Sequence, residues 1–119
     1  TDLFTIMRAV RDEHLSKLDI QWSTGAAACV VLASGGYPGK YEGGKPISGL
    51  EEAEAMGATV YHAGTKRTDA GYVTAGGRVL GVAALGDTLA DAIHKAYAAA
   101  EQIHFDGAHM RRDIGKLDM

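Results

Sequence analysis

Residues 26–39 read AAACVVLASGGYPG, an unbroken apolar run followed at once by a glycine-rich corner. A continuous apolar segment of this length, bounded by turn residues, is typical of a buried strand. Glycine is required where the backbone takes a positive φ or approaches another segment closely, and Pro38 between glycines fixes a turn. The stretch therefore predicts a strand over 26–33 that ends in a tight turn.

Glycines elsewhere in the chain are clustered in the same way. Sixteen of the 119 residues are glycine, which is nearly double the roughly 7% of an average protein. They alternate with dense apolar runs, and this pattern favours compact strands joined by tight corners over disorder. The segment 71–82 accordingly predicts a β-hairpin, in which Gly76-Gly77 supplies the positive φ of the turn and Arg78 begins the second strand.

An amphipathic helix is predicted at the start of the chain. Its apolar residues recur at helical spacing, namely Leu3, Ile6, Met7 and Val10. Either Thr1 or Asp2 suits the cap position, and the helix is expected to end near Leu15.

Two more helices are predicted further along. A glutamate-rich helix over 50–56 ends at Gly57, and a short strand follows over 59–62. The last helix begins at a capping box of Thr88 and Asp91. The expected architecture is α+β, a small curled antiparallel sheet with helices packed on one side.

Length and charge exclude several classes of protein. A chain of 119 residues forms one domain, and its net charge of −3 gives no reason to expect nucleic acid or an anionic membrane surface. Its apolar runs fall short of the roughly 18 residues that span a bilayer. The single Cys29 has no partner for an internal disulfide, which fits a reducing compartment. We expect it to be a small buried side chain in its strand.

Familiar catalytic patterns do not fit. Gly39-Lys40 resembles the end of a phosphate-binding loop, but Ser34 stands where that pattern needs glycine and Tyr41 where it needs Ser or Thr. The five histidines share no metal-ligand spacing, and no Ser-His-Asp arrangement can be argued. His62 is interpreted as a hydrogen-bonded histidine at a strand end, and an acid/base role is the alternative.

Arginines give better candidates for a binding site. Arg78 leaves a glycine turn at the start of a strand, where its planar guanidinium could reach a carboxylate or phosphate. Arg111 and Arg112 lie on non-helical backbone before Asp113, so one could bind an anion while the other pairs with that carboxylate. A solvated surface arginine remains the alternative at each position, and the turn over 35–39 is either a substrate-facing loop or a structural corner.

Four strings occur in a fixed order: GGYPG at 35–39, HAGT at 62–65, GGRVL at 76–80 and RRDIG at 111–115. Together they resemble the carboxy-terminal domain of the phosphoribosylamine–glycine ligases, ATP-grasp enzymes of purine synthesis also called glycinamide ribonucleotide synthetases. The resemblance covers about Leu3 to Gly115. It implies that residues 1–119 are an ATP-grasp C-terminal domain of half-barrel or sandwich type.

The resemblance also implies a reaction. The family joins glycine to 5-phosphoribosylamine with ATP hydrolysis, by way of an acyl phosphate, and the enzyme is expected to be cytoplasmic. ATP and Mg²⁺ (or Mn²⁺) would be bound by an ATP-grasp core absent from this chain. The isolated chain is therefore expected to bind no cofactor or metal and to be inactive.

Its implied partners are the remainder of the same polypeptide and the small substrates phosphoribosylamine and glycine, with no nucleic acid or membrane. No residue is expected to be catalytic. The residues implied to lie on the substrate side are Gly35, Gly36, Tyr37, Pro38, Gly39, Arg78, Arg111 and Arg112.

A freestanding sandwich-barrel module is the alternative. Biotinyl and lipoyl carriers present a modifiable lysine at a hairpin tip, and the predicted tip at 75–77 reads AGG. A binding or interaction domain without catalysis stays open on sequence alone.

Overall fold

The computed structural model describes residues 1–116, so the last three residues of the domain predicted over 1–119 lie outside the described part. The elements follow in the order α1 (Leu3–Arg11), β1 (Ala26–Ala33), α2 (Leu50–Ala55), β2 (Thr59–His62), β3 (Thr65–Thr68), β4 (Gly71–Thr74), β5 (Arg78–Gly86) and α3 (Leu89–Ala100), with a 3₁₀ turn at Leu15–Lys17 after α1. The predicted α+β class is confirmed.

The strands form two antiparallel sheets. The larger has the order β1-β5-β2, and the smaller is the pair β3-β4. Strand β5 is central, because the β1 and β2 ladders both lie on it. The strands predicted at 26–33 and 59–62 are confirmed at those bounds.

The hairpin predicted over 71–82 is wrong. Strand β4 pairs with β3, whereas β5 pairs with β1 and β2, so Gly76-Gly77 connects two sheets. Neither glycine has a positive φ. They are required for close contact instead: a Cβ on Gly76 would lie 3.1 Å from the Cα of Gly64, and one on Gly77 would lie 2.2 Å from Cδ2 of Tyr37.

The core lies between the larger sheet and helix α3. The buried face of α3 is made of alanines, each at most 1% exposed: Ala92, Ala96, Ala99 and Ala100. These small side chains let the helix lie close to β1 and β5, where Val30, Leu80 and Val82 fill the space. Helix α2 packs beside α3 and β2. Helices on one side of the sheet were predicted, and α2 and α3 confirm it.

Local signals place the helix ends. Thr88 Oγ1 accepts a hydrogen bond from the Asp91 amide at 3.1 Å, and the Asp91 carboxylate accepts one from the Thr88 amide at 3.3 Å. The predicted capping box is therefore confirmed. Helix α2 ends before Gly57, whose φ of 87° continues the chain in the left-handed region, as predicted.

The opposite face of the larger sheet is open within residues 1–116. Its apolar side chains include Val31, Tyr61 and Leu85, which are 43%, 59% and 75% exposed. Cys29 lies on this face and is exposed, so the prediction of a buried cysteine is wrong. The apolar run in β1 suggested burial on both faces, but α3 covers only one of them.

Helix α1 begins at the Asp2 cap, whose carboxylate accepts a hydrogen bond from the Thr5 amide at 3.0 Å. It ends at Arg11 rather than near Leu15, because Glu13 takes a φ of 57° and breaks the helix. Three apolar side chains of the predicted stripe, Leu3, Met7 and Val10, are 56–62% exposed, whereas Ile6 is half-buried. Phe4 beside them is 68% exposed. No helix in the described range 1–116 has both the length and the apolar character that crossing a membrane requires.

Candidate functional site

A cavity of about 290 Å³ opens on the uncovered face of the larger sheet. We call it the arginine cavity; its lining residues are Cys29, Val31, Ala33, Tyr37, Arg78, His109, Met110, Arg111 and Ile114. A wider groove of about 640 Å³ adjoins it and shares Cys29, Val31, Tyr37 and Arg78. None of these lining residues is acidic, so two guanidinium groups face an otherwise mostly apolar space.

Tyr37 reaches the cavity because Ser34 ties its loop to the start of β5. The Ser34 amide donates to the Gly77 carbonyl at 2.8 Å, and its hydroxyl donates to the Gly76 carbonyl at 2.7 Å. Ser34 is 3% exposed, so these bonds lie inside the protein. The Tyr37 ring then lies against Gly77, where any side chain would collide with it.

Arg78 points into the cavity because β5 has an irregularity beside it. The pairing shifts between Leu32 and Ala33, so that Ala33 faces Arg78 while Leu32 faces Leu80. Val79 is the extra residue, and both Val79 and Leu80 are fully buried. Regular alternation from Leu80 would turn Arg78 into the core; the bulge turns it to the open face instead. Within residues 1–116, the Arg78 side chain forms no salt bridge.

Arg111 enters the cavity on the segment that follows α3. Its Nε and Nη2 donate to the Asp113 carboxylate at 2.9 and 2.5 Å. The hydrogen bond and charge of Arg111 lower the pKa of Asp113, and the same contact raises the pKa of Arg111. Among the described residues, Nη1 of Arg111 has no hydrogen bond. One edge of the guanidinium is therefore fixed by Asp113, and the other edge is free to donate hydrogen bonds to a ligand.

Arg112 lies apart from this group. Its Nη1 donates to the Glu101 carboxylate at 2.7 Å, and it lines a different cavity beside the end of α3. The two adjacent arginines do diverge, as expected of non-helical backbone. However, the arginine that pairs with Asp113 is also the one that lines the arginine cavity, whereas the sequence suggested that these roles would be divided.

The rest of the glycine loop lies outside the arginine cavity. Gly35 packs against the backbone of Gly107 and lines a separate crevice, and Gly36 has a φ of 95° beneath the Lys40 carbonyl. Pro38, which follows a cis peptide bond, and Gly39 complete the turn. These residues place Tyr37, and among the loop residues at 35–39 Tyr37 alone lines the arginine cavity.

The separate crevice is a weaker candidate for an anion. Lys45 lies there between Glu42 and Asp106, with Nζ–oxygen distances of 3.3 and 3.5 Å. These carboxylates raise the pKa of Lys45, and they also neutralise its charge. No group of three or more metal-ligating side chains was found within residues 1–116.

The positions of His62 and of the β3–β4 hairpin tip agree with a structural histidine and with a domain that is not a biotinyl or lipoyl carrier. His62 Nδ1 lies 2.8 Å from the Thr65 hydroxyl, and its ring lies 4.5 Å from that of Tyr72, so it is a hydrogen-bonded histidine at a strand end. The tip between β3 and β4 is Asp69-Ala70. A carrier domain would require a lysine at this tip, and the tip has none.

Sequence reasoning missed the residues that place the site. Val79, the bulge residue, belongs to an apolar strand and shows nothing unusual in sequence. Ser34 was noted only as a departure from a phosphate loop, although a small polar residue directly before two glycines suits a buried anchor. Val79 and Ser34 each act at a contact between β5 or its start and a distant part of the chain, and these segments meet only after folding.

The fold and the cavity together define the class of protein: an α+β domain whose larger sheet has one face covered by helices and one open face with an arginine-lined cavity. Residues 27–117 match the family model described as "Phosphoribosylglycinamide synthetase, C domain". The chain belongs to this family.

Similar proteins carry one name. The chain is 51% identical over 116 residues to the phosphoribosylamine–glycine ligase of a Synechocystis species, covering 97% of this chain and 28% of that protein. It is 48% identical to the chloroplastic ligase of Arabidopsis thaliana, covering 97% and 22%. The crystal structure of the Thermotoga maritima phosphoribosylamine–glycine ligase superposes with a TM-score of 0.74 at 37% identity, covering 92% of this chain and 27% of that one.

The chain therefore spans between a fifth and a third of the length of these relatives. The family is shown by sequence and by fold together, and the resemblance inferred from the four strings is confirmed.

Proposed function

We propose that this chain is the carboxy-terminal domain of a phosphoribosylamine–glycine ligase and forms the substrate side of its active site. The whole enzyme would join glycine to 5-phosphoribosylamine with ATP hydrolysis in purine synthesis. The observation that carries the proposal is the convergence of Tyr37, Arg78 and Arg111, from three separate segments, on one cavity.

The cavity suits the phosphate of phosphoribosylamine. A phosphate group needs several donors, and guanidinium groups provide them in a matching planar geometry. Arg78 forms no salt bridge within residues 1–116, and Arg111 keeps one edge of its guanidinium free although Asp113 binds the other. Asp113 itself is not among the residues that line the cavity. Both terminal arginines form an ion pair, but Arg111 lines the arginine cavity and Arg112 lines a different one. Of the two we therefore propose Arg111 as the phosphate ligand.

The remaining residues of the loop over 35–39 take a supporting role in this proposal. Gly35, Gly36, Pro38 and Gly39 shape the turn that carries Tyr37, whose ring borders both the cavity and the adjoining groove. The groove is open and large enough for the ribose and the acceptor amine.

The proposal that this chain is part of a larger polypeptide is supported by apolar surfaces that stay exposed among the described residues. The stripe of α1 is mostly exposed, and the family model begins at residue 27, after that helix. Exposed apolar patches of this kind mark interaction sites. We assign α1 to the contact with the remainder of the ligase, and the open sheet face to the substrate side.

ATP and its Mg²⁺ (or Mn²⁺) are assigned to other parts of that polypeptide. The described residues offer no cluster of metal ligands, so no step of the reaction is attributed to a metal on this chain. A cytoplasmic location belongs to the same proposal.

The test is a set of arginine variants in the full-length ligase. Arg78→Ala and Arg111→Ala should each lower kcat/KM for phosphoribosylamine by about tenfold to a hundredfold, because a hydrogen bond to a charged group contributes roughly 1.5–3 kcal/mol. The KM for ATP should change little. The melting temperature should also hold, since surface substitutions usually stay within about 0.5 kcal/mol.

Two further variants sharpen the result. Arg67→Ala, on the exposed side of β3, is the matched control for removing a surface arginine. Arg112→Ala separates the terminal pair and should leave the KM for phosphoribosylamine unchanged. A rise in the KM for ATP with Arg78→Ala or Arg111→Ala, or no kinetic change with either, would refute the assignment of the cavity.

A further inference from the structure

The segment that carries Arg111 is held at both ends. At its start, the Ala33 amide donates to the His109 carbonyl at 2.9 Å and the His109 amide donates back at 3.1 Å. At its end, Gly115 lies so close to Ile93 of α3 that a Cβ there would be 2.5 Å from Cδ1 of Ile93. The stretch over 110–114 must bridge these two fixed points.

Tyr97 closes this stretch from the side of α3. Its hydroxyl donates to the Arg111 carbonyl at 2.7 Å and accepts from the Ile114 amide at 3.0 Å. One hydroxyl therefore joins the two ends of the turn over 111–114. The Tyr97 ring is half-buried against the core, so the hydroxyl is carried on a rigid support.

We propose that Tyr97 is a positioning residue for the anion-binding cavity, and this inference rests on the proposed function above. Its hydroxyl fixes the backbone of Arg111, while Asp113 fixes one edge of the guanidinium. The free edge is thereby held at the cavity before the ligand arrives. Pre-organisation of this kind raises affinity by reducing the ordering that binding requires. Tyr97 is not itself among the residues that line the cavity.

A purely structural role would give a different pattern of effects. If the hydroxyl only stabilised the fold, its removal would lower the melting temperature and leave binding intact. If it positions Arg111, its removal should weaken phosphoribosylamine binding and should matter only while Arg111 is present. A double-mutant cycle distinguishes these roles because it measures the coupling between the two residues.

The experiment compares Tyr97→Phe, Arg111→Ala and the double variant in the full-length ligase. Tyr97→Phe should raise the KM for phosphoribosylamine by about threefold to tenfold, the size expected for losing ordinary hydrogen bonds. The KM for ATP should stay unchanged. In the Arg111→Ala background, Tyr97→Phe should add nothing. Tyr72→Phe is the matched control, since the Tyr72 hydroxyl has no hydrogen bond within residues 1–116 and lines neither cavity.

NMR on this chain gives a second readout. Tyr97→Phe should speed hydrogen exchange of the Ile114 amide and shift the Nε–H signal of Arg111. The Tyr97 inference alone is overturned if Tyr97→Phe raises the KM for phosphoribosylamine by the same factor with Arg111 present and with Arg111→Ala. It is also overturned if Tyr97→Phe leaves both the exchange of the Ile114 amide and the Arg111 signal unchanged. If Arg111→Ala itself leaves the KM for phosphoribosylamine unchanged, the proposed role of Arg111 fails first, and the Tyr97 inference falls with it.

Discussion

Gly77→Ala should destabilise the protein because Gly77 lies beneath the ring of Tyr37. A methyl group there would lie 2.2 Å from Cδ2 and 2.7 Å from Cε2 of that ring, and 3.1 Å from Cε1 of Tyr41. Carbon atoms in contact are usually about 3.5–4.0 Å apart, so the ring must move by more than about 1 Å.

The expected cost follows from how freely that ring can move. Overpacking in a filled site costs about 1–3 kcal/mol, and Tyr37 is only half-buried, so we expect about 1–2 kcal/mol. For a domain of this size each kcal/mol corresponds to roughly 4 °C. Thermal unfolding should therefore show a melting temperature lower by about 4–8 °C. Because Tyr37 borders both the arginine cavity and the adjoining groove, the KM for phosphoribosylamine should rise as well.

Gly81→Ala is the matched control on the same strand. A methyl group there would meet Cys29 Sγ at 3.3 Å and Tyr61 Cβ at 3.8 Å, on the open face. Its effect should stay within about 0.5 kcal/mol. In a Tyr37→Ala background, Gly77→Ala should lose most of its cost, since the colliding ring is gone. Equal effects of Gly77→Ala and Gly81→Ala, or a full cost in the Tyr37→Ala background, would refute this reasoning.

Two further predictions concern the ion pair and the isolated chain. Arg111 lowers the pKa of Asp113, so this pair contributes stability above the ordinary carboxyl pKa and loses it as pH falls through the lowered value, below about pH 4. In a carbon-detected NMR titration Arg111→Ala should raise the pKa of Asp113, and an unmoved pKa would contradict the pairing. The isolated chain should release no ADP above background with ATP, glycine and phosphoribosylamine, and turnover by the pure chain would contradict the assignment of ATP to other parts of the ligase.

Elements defined by local signals were predicted well. The apolar run of β1, the capping box of α3 and the glycine after α2 each carry their information within a few residues. The early end of α1 was missed because Glu13 takes a positive φ, which its residue type does not suggest. Helix ends that depend on such a position are not visible in periodicity.

The failed hairpin shows where local rules stop. A Gly-Gly pair between two apolar segments fits a primed turn, yet β5 pairs with β1, some fifty residues earlier in the chain. The pair is instead needed where Gly76 meets Gly64 and Gly77 meets Tyr37. A sequence indicates that glycine is present, but the choice between a turn and a close contact depends on partners brought together by folding.

The exposed Cys29 has a related cause. A strand without polar residues was read as buried on both faces, but in this fold helices cover one face and the candidate site occupies the other. Among the apolar side chains of the open face, Val31 lines both the arginine cavity and the adjoining groove, and Tyr61 lines the groove. Apolar residues on an open sheet face therefore produce the same sequence pattern as residues of a core, and the pattern cannot separate the two.

The terminal arginines mark the limit of sequence inference most clearly. Arg111 and Arg112 are chemically identical neighbours, so no local pattern distinguishes them. Asp113 takes one edge of Arg111 from two residues away, whereas Arg112 is drawn to Glu101 at the end of α3. Glu101 becomes available only when α3 has packed on the sheet and the chain has returned past it. The choice between two adjacent arginines is thus made by the fold, and the candidate site exists only where the three segments meet.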